Sequence, residues 1–142
     1  MPQTAIVLPV IAQALITFAV LFVLGARRQA ALKAAGKVPQ DMELADDRDW
    51  PKAAEAASRN FKNQFELPVL FYVVCAFVLM TRTLDLLLFV LAWVFVASRV
   101  VHAVEHLRQN RVPVRGGSYI IGFVALVLMW LVLGWHVVTR GF

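Results

Sequence analysis

Two groups of polar residues recur at helical spacing next to strongly apolar sequence. The first comprises Arg59, Asn63 and Glu66, at positions i, i+4 and i+7, and the apolar run "LPVLFYVV" follows directly. At about 100° per residue, these positions fall on one face of a helix. An ionisable side chain at membrane depth costs on the order of 2.5 to 3.5 kcal/mol, so this face should lie against protein or water.

The second group lies on the next apolar segment. Arg99, His102, His106 and Asn110 occupy positions i, i+3, i+7 and i+11, and Glu105 lies to one side of them. This spacing again predicts one polar helical face. Each histidine can also be interpreted as a packed or hydrogen-bonded residue without a chemical role.

The two polar helical faces, or stripes, could satisfy each other's charges and hydrogen bonds if they meet. In that case Glu66 would neutralise Arg59 or Arg99 and hold two helices together. Cations nevertheless outnumber carboxylates here: Arg59, Lys62, Arg99, Arg108, Arg111 and Arg115 stand against Glu66 and Glu105. This excess favours a cavity that attracts an anion from outside the chain. Arg115 also precedes a predicted helix N-terminus, capped by Ser118 after a Gly116–Gly117 turn, where free N–H groups favour negative charge.

The chain shows no arrangement typical of a protein nucleophile or a metal site. No Ser-His-Asp set, Cys-His set, glycine-rich phosphate loop or metal-ligand spacing occurs in the sequence. If the protein performs chemistry, the reactive group should therefore belong to the bound anion.

The elements that position these residues are predicted to be membrane helices. Among 142 residues, 61% are hydrophobic, and the mean hydropathy is +0.72, which indicates an integral membrane protein. We predict a single all-α domain over residues 1–142, a bundle of four transmembrane helices at about 5–25, 58–80, 85–107 and 118–138. The first is expected to be retained, and the second to bend near Pro68, which cannot donate a hydrogen bond to the carbonyl of Gln64.

Loop charges predict the orientation. The first and third loops with their flanks carry most cations, namely Arg27, Arg28, Lys33, Lys37, Arg48, Lys52, Arg59, Lys62, Arg108, Arg111 and Arg115. The other side carries only Arg82 and Arg140. Both long loops should be cytoplasmic and both termini on the opposite side. Membrane orientation already accounts for the net charge of +5, so we do not predict nucleic-acid binding. The acidic stretch at 41–49 is interpreted as a solvated connector, anchored by Trp50 at the interface.

These residues resemble the MAPEG family, the membrane-associated proteins in eicosanoid and glutathione metabolism. The resemblance rests on R-x3-N-x2-E at Arg59, Asn63 and Glu66, followed by Pro68, and on "SRVVHAVEHLRQNRVPVRGGSY". It covers essentially the whole chain, including the "ARR" end of the first helix, and is closest in character to compact, bacterial-like members.

The resemblance implies a homotrimer that holds glutathione, as co-substrate, between subunits near the cytoplasmic face. Carried over by position, the binding residues would be Arg28 (rather than Arg27), Arg59, Asn63, Glu66, Arg99, His102, His106, Arg111 and Tyr119. Glu66 would receive the peptide's amino group, and Arg115 would be catalytic, near the sulfur. His106 stands where several members have a tyrosine, which alters the wall of the pocket.

Three functions remain compatible with these features. The favoured hypothesis is a glutathione-dependent membrane enzyme that adds the thiolate to a lipophilic electrophile from the bilayer, or reduces lipid hydroperoxides. An alternative is a non-catalytic membrane scaffold whose polar stripes pair between helices or subunits. An ion or solute carrier ranks last, because the sequence contains no repeat and no pair of broken helices.

Overall fold

The described residues form α-helices joined by short connections, two of them 3-10 helical turns in the first loop. The computed structural model describes residues 1–42, 45–109 and 111–140, and its α-helices are α1 (Val7–Ala35), α2 (Lys52–Asn63), α3 (Leu67–Met80), α4 (Leu86–Leu107) and α5 (Val112–Arg140). Four segments are long and apolar enough to cross a membrane: Gln3–Ala35, Lys52–Met80, Leu86–Leu107 and Val112–Thr139. The prediction of an all-α chain with four membrane helices is therefore confirmed.

The second membrane segment consists of two helices. α2 ends at Asn63 and α3 begins at Leu67, and Glu66 between them has φ −98° and ψ −104°. Pro68 explains the interruption, since it has no N–H group to continue the ladder to Gln64. The predicted bend is thus a complete break. The prediction that Glu66 shares a helical face with Arg59 and Asn63 is wrong, because the helix ends before it.

A chain of buried amide side chains joins three helices at this break. Gln13 Nε2 on α1 donates to Gln64 Oε1 (3.1 Å), and Gln64 Nε2 donates to Asn60 Oδ1 (3.2 Å). Asn60 Nδ2 in turn donates to the backbone carbonyl of Ala103 on α4 (3.0 Å). Unsatisfied polar groups are costly away from water, so this chain fixes the position of the interrupted helix.

Small residues let α4 and α5 approach closely. Gly122 on α5 lies so near Ser98 on α4 that an added Cβ would overlap the Ser98 hydroxyl. That hydroxyl donates to the carbonyl of Phe95 (2.6 Å), whose ring stacks on Phe71 of α3 with centroids 4.4 Å apart. The seam between the two helices thus connects to the apolar core.

The last helix begins earlier than predicted. α5 starts at Val112, so Ser118 lies inside it and the predicted Ser118 cap and glycine turn are wrong. Pro113 suits a first helical turn, because its fixed φ is helical and its missing N–H is not needed there. The Ser118 hydroxyl instead donates to the carbonyl of Arg115 (2.9 Å).

We expect Gly122→Ala to lower the thermal stability of the detergent-purified protein. The new methyl group would push the Ser98 hydroxyl away from its acceptor, and a lost hydrogen bond of this kind costs about 1 kcal/mol. Gly134→Ala is the matched control, since nothing lies within 4 Å of its added Cβ. In a Ser98→Ala background, Gly122→Ala should be tolerated; an equal loss in both backgrounds would contradict this explanation.

Candidate functional site

The centre of the polar region is Arg99, a fully buried side chain on α4. Its Nη2 donates to the backbone carbonyl of Asn63 (3.2 Å), and its guanidinium lies 5.8 Å from the ring centroid of Tyr119. Among the described residues, the Nε and Nη1 atoms have no hydrogen-bond partner, and no carboxylate forms a salt bridge with Arg99. A buried cation with unused donors is a strong attractor for an anion.

His102 links the end of α2 to the start of α5. The Asn63 amide nitrogen lies 3.5 Å from His102 Nε2, and His102 Nδ1 lies 3.1 Å from the carbonyl of Arg115. An imidazole that carries its hydrogen on Nδ1 fits both contacts, because it accepts from the amide and donates to the carbonyl. The ring also packs against Tyr119 and His106, with centroid distances of 5.7 and 5.8 Å.

A polar cavity of about 280 Å³ opens beside this cluster, between α2, α4 and α5. It is lined by Lys52, Glu55, Ala56, Arg59, His106 and Arg115. The lining therefore contains three cations and one carboxylate, and that carboxylate, Glu55, forms a salt bridge with Arg59. The buried Nδ1 of His106 has no hydrogen-bond partner in the described structure. The cavity suits an anionic ligand of small-molecule size.

The predicted site residues divide into two sets. The structure brings seven of them together at one end of the bundle: Asn63, Arg99, His102 and Tyr119 in the polar cluster, and Arg59, His106 and Arg115 around the cavity. It does not bring Arg28 or Arg111 into that group, and Glu66 lies at its edge, where it interacts electrostatically with Arg99 without a salt bridge among the described residues. Asn110, the last member of the predicted second stripe, lies outside the described residues.

Arg111 is held by a carboxylate of its own chain. Its Nε and Nη2 bind the two oxygens of Glu105 at 2.9 and 3.0 Å, and its backbone N–H donates to the same carboxylate at 3.0 Å. The side-chain hydrogen bond to Glu105 also raises the pKa of Arg111. This fork closes the turn between α4 and α5 and so positions the start of α5.

Arg28 and the acidic loop form a second set of contacts. Arg28 lies 3.7 Å from Asp47 and over the ring of Trp50, 5.0 Å from its centroid. Asp47 also accepts hydrogen bonds from Ser58 (2.7 Å) and from Lys62. The interpretation of this loop as a solvated connector is therefore wrong at Asp47, which fastens it to α1 and α2. Glu66, in contrast, is exposed and forms no salt bridge with any described residue.

Lys52 and Glu55 are not among the predicted site residues, because the predicted second helix begins only near position 58. α2 begins at Lys52, so the stripe of Arg59 and Asn63 continues backwards to positions 52 and 55–56. An earlier helix start, after Trp50-Pro51, was the signal that could have found them. Arg27, which has no predicted role, donates to the carbonyls of Ala53 (2.9 Å) and Leu107 (2.7 Å) and so connects α1 to α2 and α4.

Taken together, the four membrane segments and the polar end of the bundle define an integral, multi-pass helical membrane protein. The family model described as "MAPEG family" matches residues 6–135, so the chain belongs to the MAPEG family. No curated protein and no solved structure gives a significant match. Membership associates the chain with membrane proteins of glutathione or eicosanoid metabolism.

We expect the contribution of Asp47 to stability to depend on pH. Its hydrogen bond from Lys62, followed by that from Ser58, lowers its pKa below the ordinary value of 3.8. The carboxylate should therefore stabilise the fold fully near neutral pH, and the gain should disappear as the pH falls below 3.8 and through the lowered pKa. Because the lysine is largely exposed, the gain should be under about 1 kcal/mol.

The measurement is the difference in thermal unfolding between the parent protein and Asp47→Asn as a function of pH. In a Lys62→Met background, the effect of Asp47→Asn should shrink, because the strongest partner is gone. A difference that stays constant down to pH 3 would contradict this account.

Proposed function

We propose that the protein is a glutathione-dependent membrane enzyme, which transfers the glutathione thiolate to a lipophilic electrophile or uses it to reduce lipid hydroperoxides. The observation that carries this proposal is Arg99, a buried cation whose Nε and Nη1 lack partners in the described structure. Family membership narrows the class of anion, because glutathione metabolism is characteristic of MAPEG proteins.

The charges of the cavity fit glutathione. The tripeptide carries two carboxylates and one ammonium group, and the cavity is lined by three cations and one carboxylate. Arg59 and Lys52 offer charge to the peptide's carboxylates, and Asn63 and Tyr119 add polar atoms beside Arg99. A simple apolar ligand would offer nothing to the excess positive charge of this lining.

Arg115 is the residue we assign to the sulfur. It lies in the first turn of α5, where the helix dipole also favours negative charge. Stabilising a thiolate by one pKa unit takes about 1.4 kcal/mol, which is within reach of a guanidinium in a partly dry cavity. The thiolate supplies the nucleophile, and the chain's own residues bind and orient the peptide.

A homotrimer would complete this site. The exposed face of α3 carries Glu66 at one end and then a row of apolar residues, namely Val69, Leu70, Val73, Phe77 and Met80. A neighbouring subunit that covers this row would bring its own residues near Glu66. The helix faces that no neighbouring subunit covers would contact lipid, and the lipophilic substrate would enter from there.

The cavity end is proposed to face the cytoplasm. With Cys75→Ala as background, we expect Lys37→Cys and Gln109→Cys to resist a membrane-impermeant thiol reagent in intact cells and to react after lysis. Thr4→Cys, near the opposite end, should react in intact cells. All three side chains are exposed, so their reactivity in intact cells depends only on the side of the membrane on which each position lies. The reverse labelling pattern would invert the orientation.

We expect glutathione to raise the thermal stability of the detergent-purified protein in a saturable manner, and S-hexylglutathione to raise it further. A ligand that binds only the folded state stabilises it by roughly 2.7 kcal/mol at a hundredfold excess over the dissociation constant. Arg115→Ala and Arg99→Met should reduce this shift strongly. Replacing a buried charge by an apolar residue of similar size is often tolerated, so Arg99→Met should still fold.

Arg108→Ala is the matched control, since Arg108 is exposed at the end of α4 and belongs neither to the cavity lining nor to the described contacts of Arg99. A full shift in Arg115→Ala and Arg99→Met would contradict the site assignment. An absent shift with both ligands, together with loss of the oligomer in these variants on size-exclusion chromatography, would favour the scaffold function instead.

A further inference from the structure

An apolar groove runs along the α4–α5 pair near the polar end of the bundle. It has a volume of about 490 Å³, a size typical of sites for small ligands. The residues that line it are exposed on the surface of two membrane segments, and they include Val94, Ala97 and Val101 from α4 and Pro113, Gly117 and Ile121 from α5. The groove is therefore open to the lipid around the bundle.

The lining favours hydrocarbon. Two serines are the polar side chains in the groove, and each donates its hydroxyl hydrogen within its own helix, Ser98 to the carbonyl of Phe95 (2.6 Å) and Ser118 to that of Arg115 (2.9 Å). Neither hydroxyl is left to donate to a polar ligand. Gly117 widens the groove, since nothing lies within 4 Å of a Cβ added there. An apolar chain can thus lie between the two helices.

Positive charge lies at one end of the groove. Arg108 follows Val101 by seven residues, and at about 100° per residue it lies on the same side of α4. Its exposed side chain forms no salt bridge with a described residue. Arg111, just before Pro113, is paired with Glu105, so Arg108 adds a net positive charge to this end. A negatively charged group is favoured there.

We propose that this groove binds an anionic phospholipid, with one acyl chain between α4 and α5 and the headgroup phosphate at Arg108. The occupant has to combine hydrocarbon with a negative charge at one end, and an anionic phospholipid is the membrane component with that chemistry. A zwitterionic headgroup fits less well, because its own cation offsets the charge of its phosphate.

The site is separate from the cavity of the proposed function. At about 100° per residue, the groove positions on α4 lie roughly 130° around the helix from Arg99, His102 and His106. Those on α5 lie roughly 130° from Arg115 and Tyr119. The inference therefore does not depend on glutathione binding, and glutathione titrations without added lipid test a different site.

The first test follows thermal unfolding of the detergent-purified full chain while phosphatidylglycerol, or phosphatidylcholine with the same acyl chains, is added to the micelles. Phosphatidylglycerol should raise the transition saturably and at a lower mole fraction, because a ligand of the folded state stabilises it. Arg108→Gln should raise the half-saturating mole fraction of phosphatidylglycerol about fivefold, the contribution of one cation at a membrane surface. The value for phosphatidylcholine should hardly change.

Variants that fill the groove test the position of the acyl chain. Gly117→Leu should abolish the response to phosphatidylglycerol, because its side chain occupies the open space beside α5. Ala97→Leu fills the groove from α4 and serves as a second variant if the first does not fold. Gly134→Leu is the matched control: it lies on the same helix, also has open space, and is absent from the groove lining. It should keep the full response.

Four results would overturn the inference. A full response in both filling variants would show that lipid acts on the bundle surface in general. Equal half-saturating mole fractions of the two lipids in the parent protein would reject recognition of the headgroup. An equal shift with glycerol 3-phosphate alone would indicate a site for free phosphate. Loss of the oligomer on size-exclusion chromatography in the filling variants, but not in Gly134→Leu, would assign the groove to a neighbouring copy of the chain.

Discussion

The buried charge of Arg99 is the constraint around which this end of the bundle is built. A guanidinium in a membrane segment needs acceptors, and the carbonyl of Asn63 supplies one because α2 ends at that residue. The helix ends there because Pro68 cannot continue the hydrogen-bond ladder. Pro68 therefore causes the break in the helix, and the break exposes the carbonyl that binds the buried cation.

Contacts from α1, α4 and α5 stabilise the helix break and the position of Arg99. The amide chain from Gln13 through Gln64 to Asn60 fixes the break against α1 and α4. The fork between Glu105 and Arg111 fixes the start of α5, so that Arg115 and Tyr119 return to the same end. Elements that are distant in sequence thus meet around one cation, a common way for a membrane helix bundle to build a polar site from facing helices.

Residue periodicity was sufficient to predict the four membrane helices and the meeting of Asn63, Arg99 and His102, because burying polar stripes at helical spacing admits few solutions. It failed where a helix boundary decided the result. Glu66 does not lie on the polar face of α2, because α2 ends at Asn63. Lys52 and Glu55 line the cavity because α2 begins at Lys52, earlier than predicted. The Arg111–Glu105 and Arg28–Asp47 pairs depend on three-dimensional partner choice, on which sequence spacing gives no information.

The amide chain beside Arg99 has a consequence for the permeability of the membrane. Carboxylates or imidazoles in a buried row can exchange protons and so carry them across a bilayer. Gln13, Gln64 and Asn60 are linked by hydrogen bonds but hold no proton that titrates in the physiological range. These buried amides therefore add polar atoms within a membrane segment without adding a group through which a proton could be relayed.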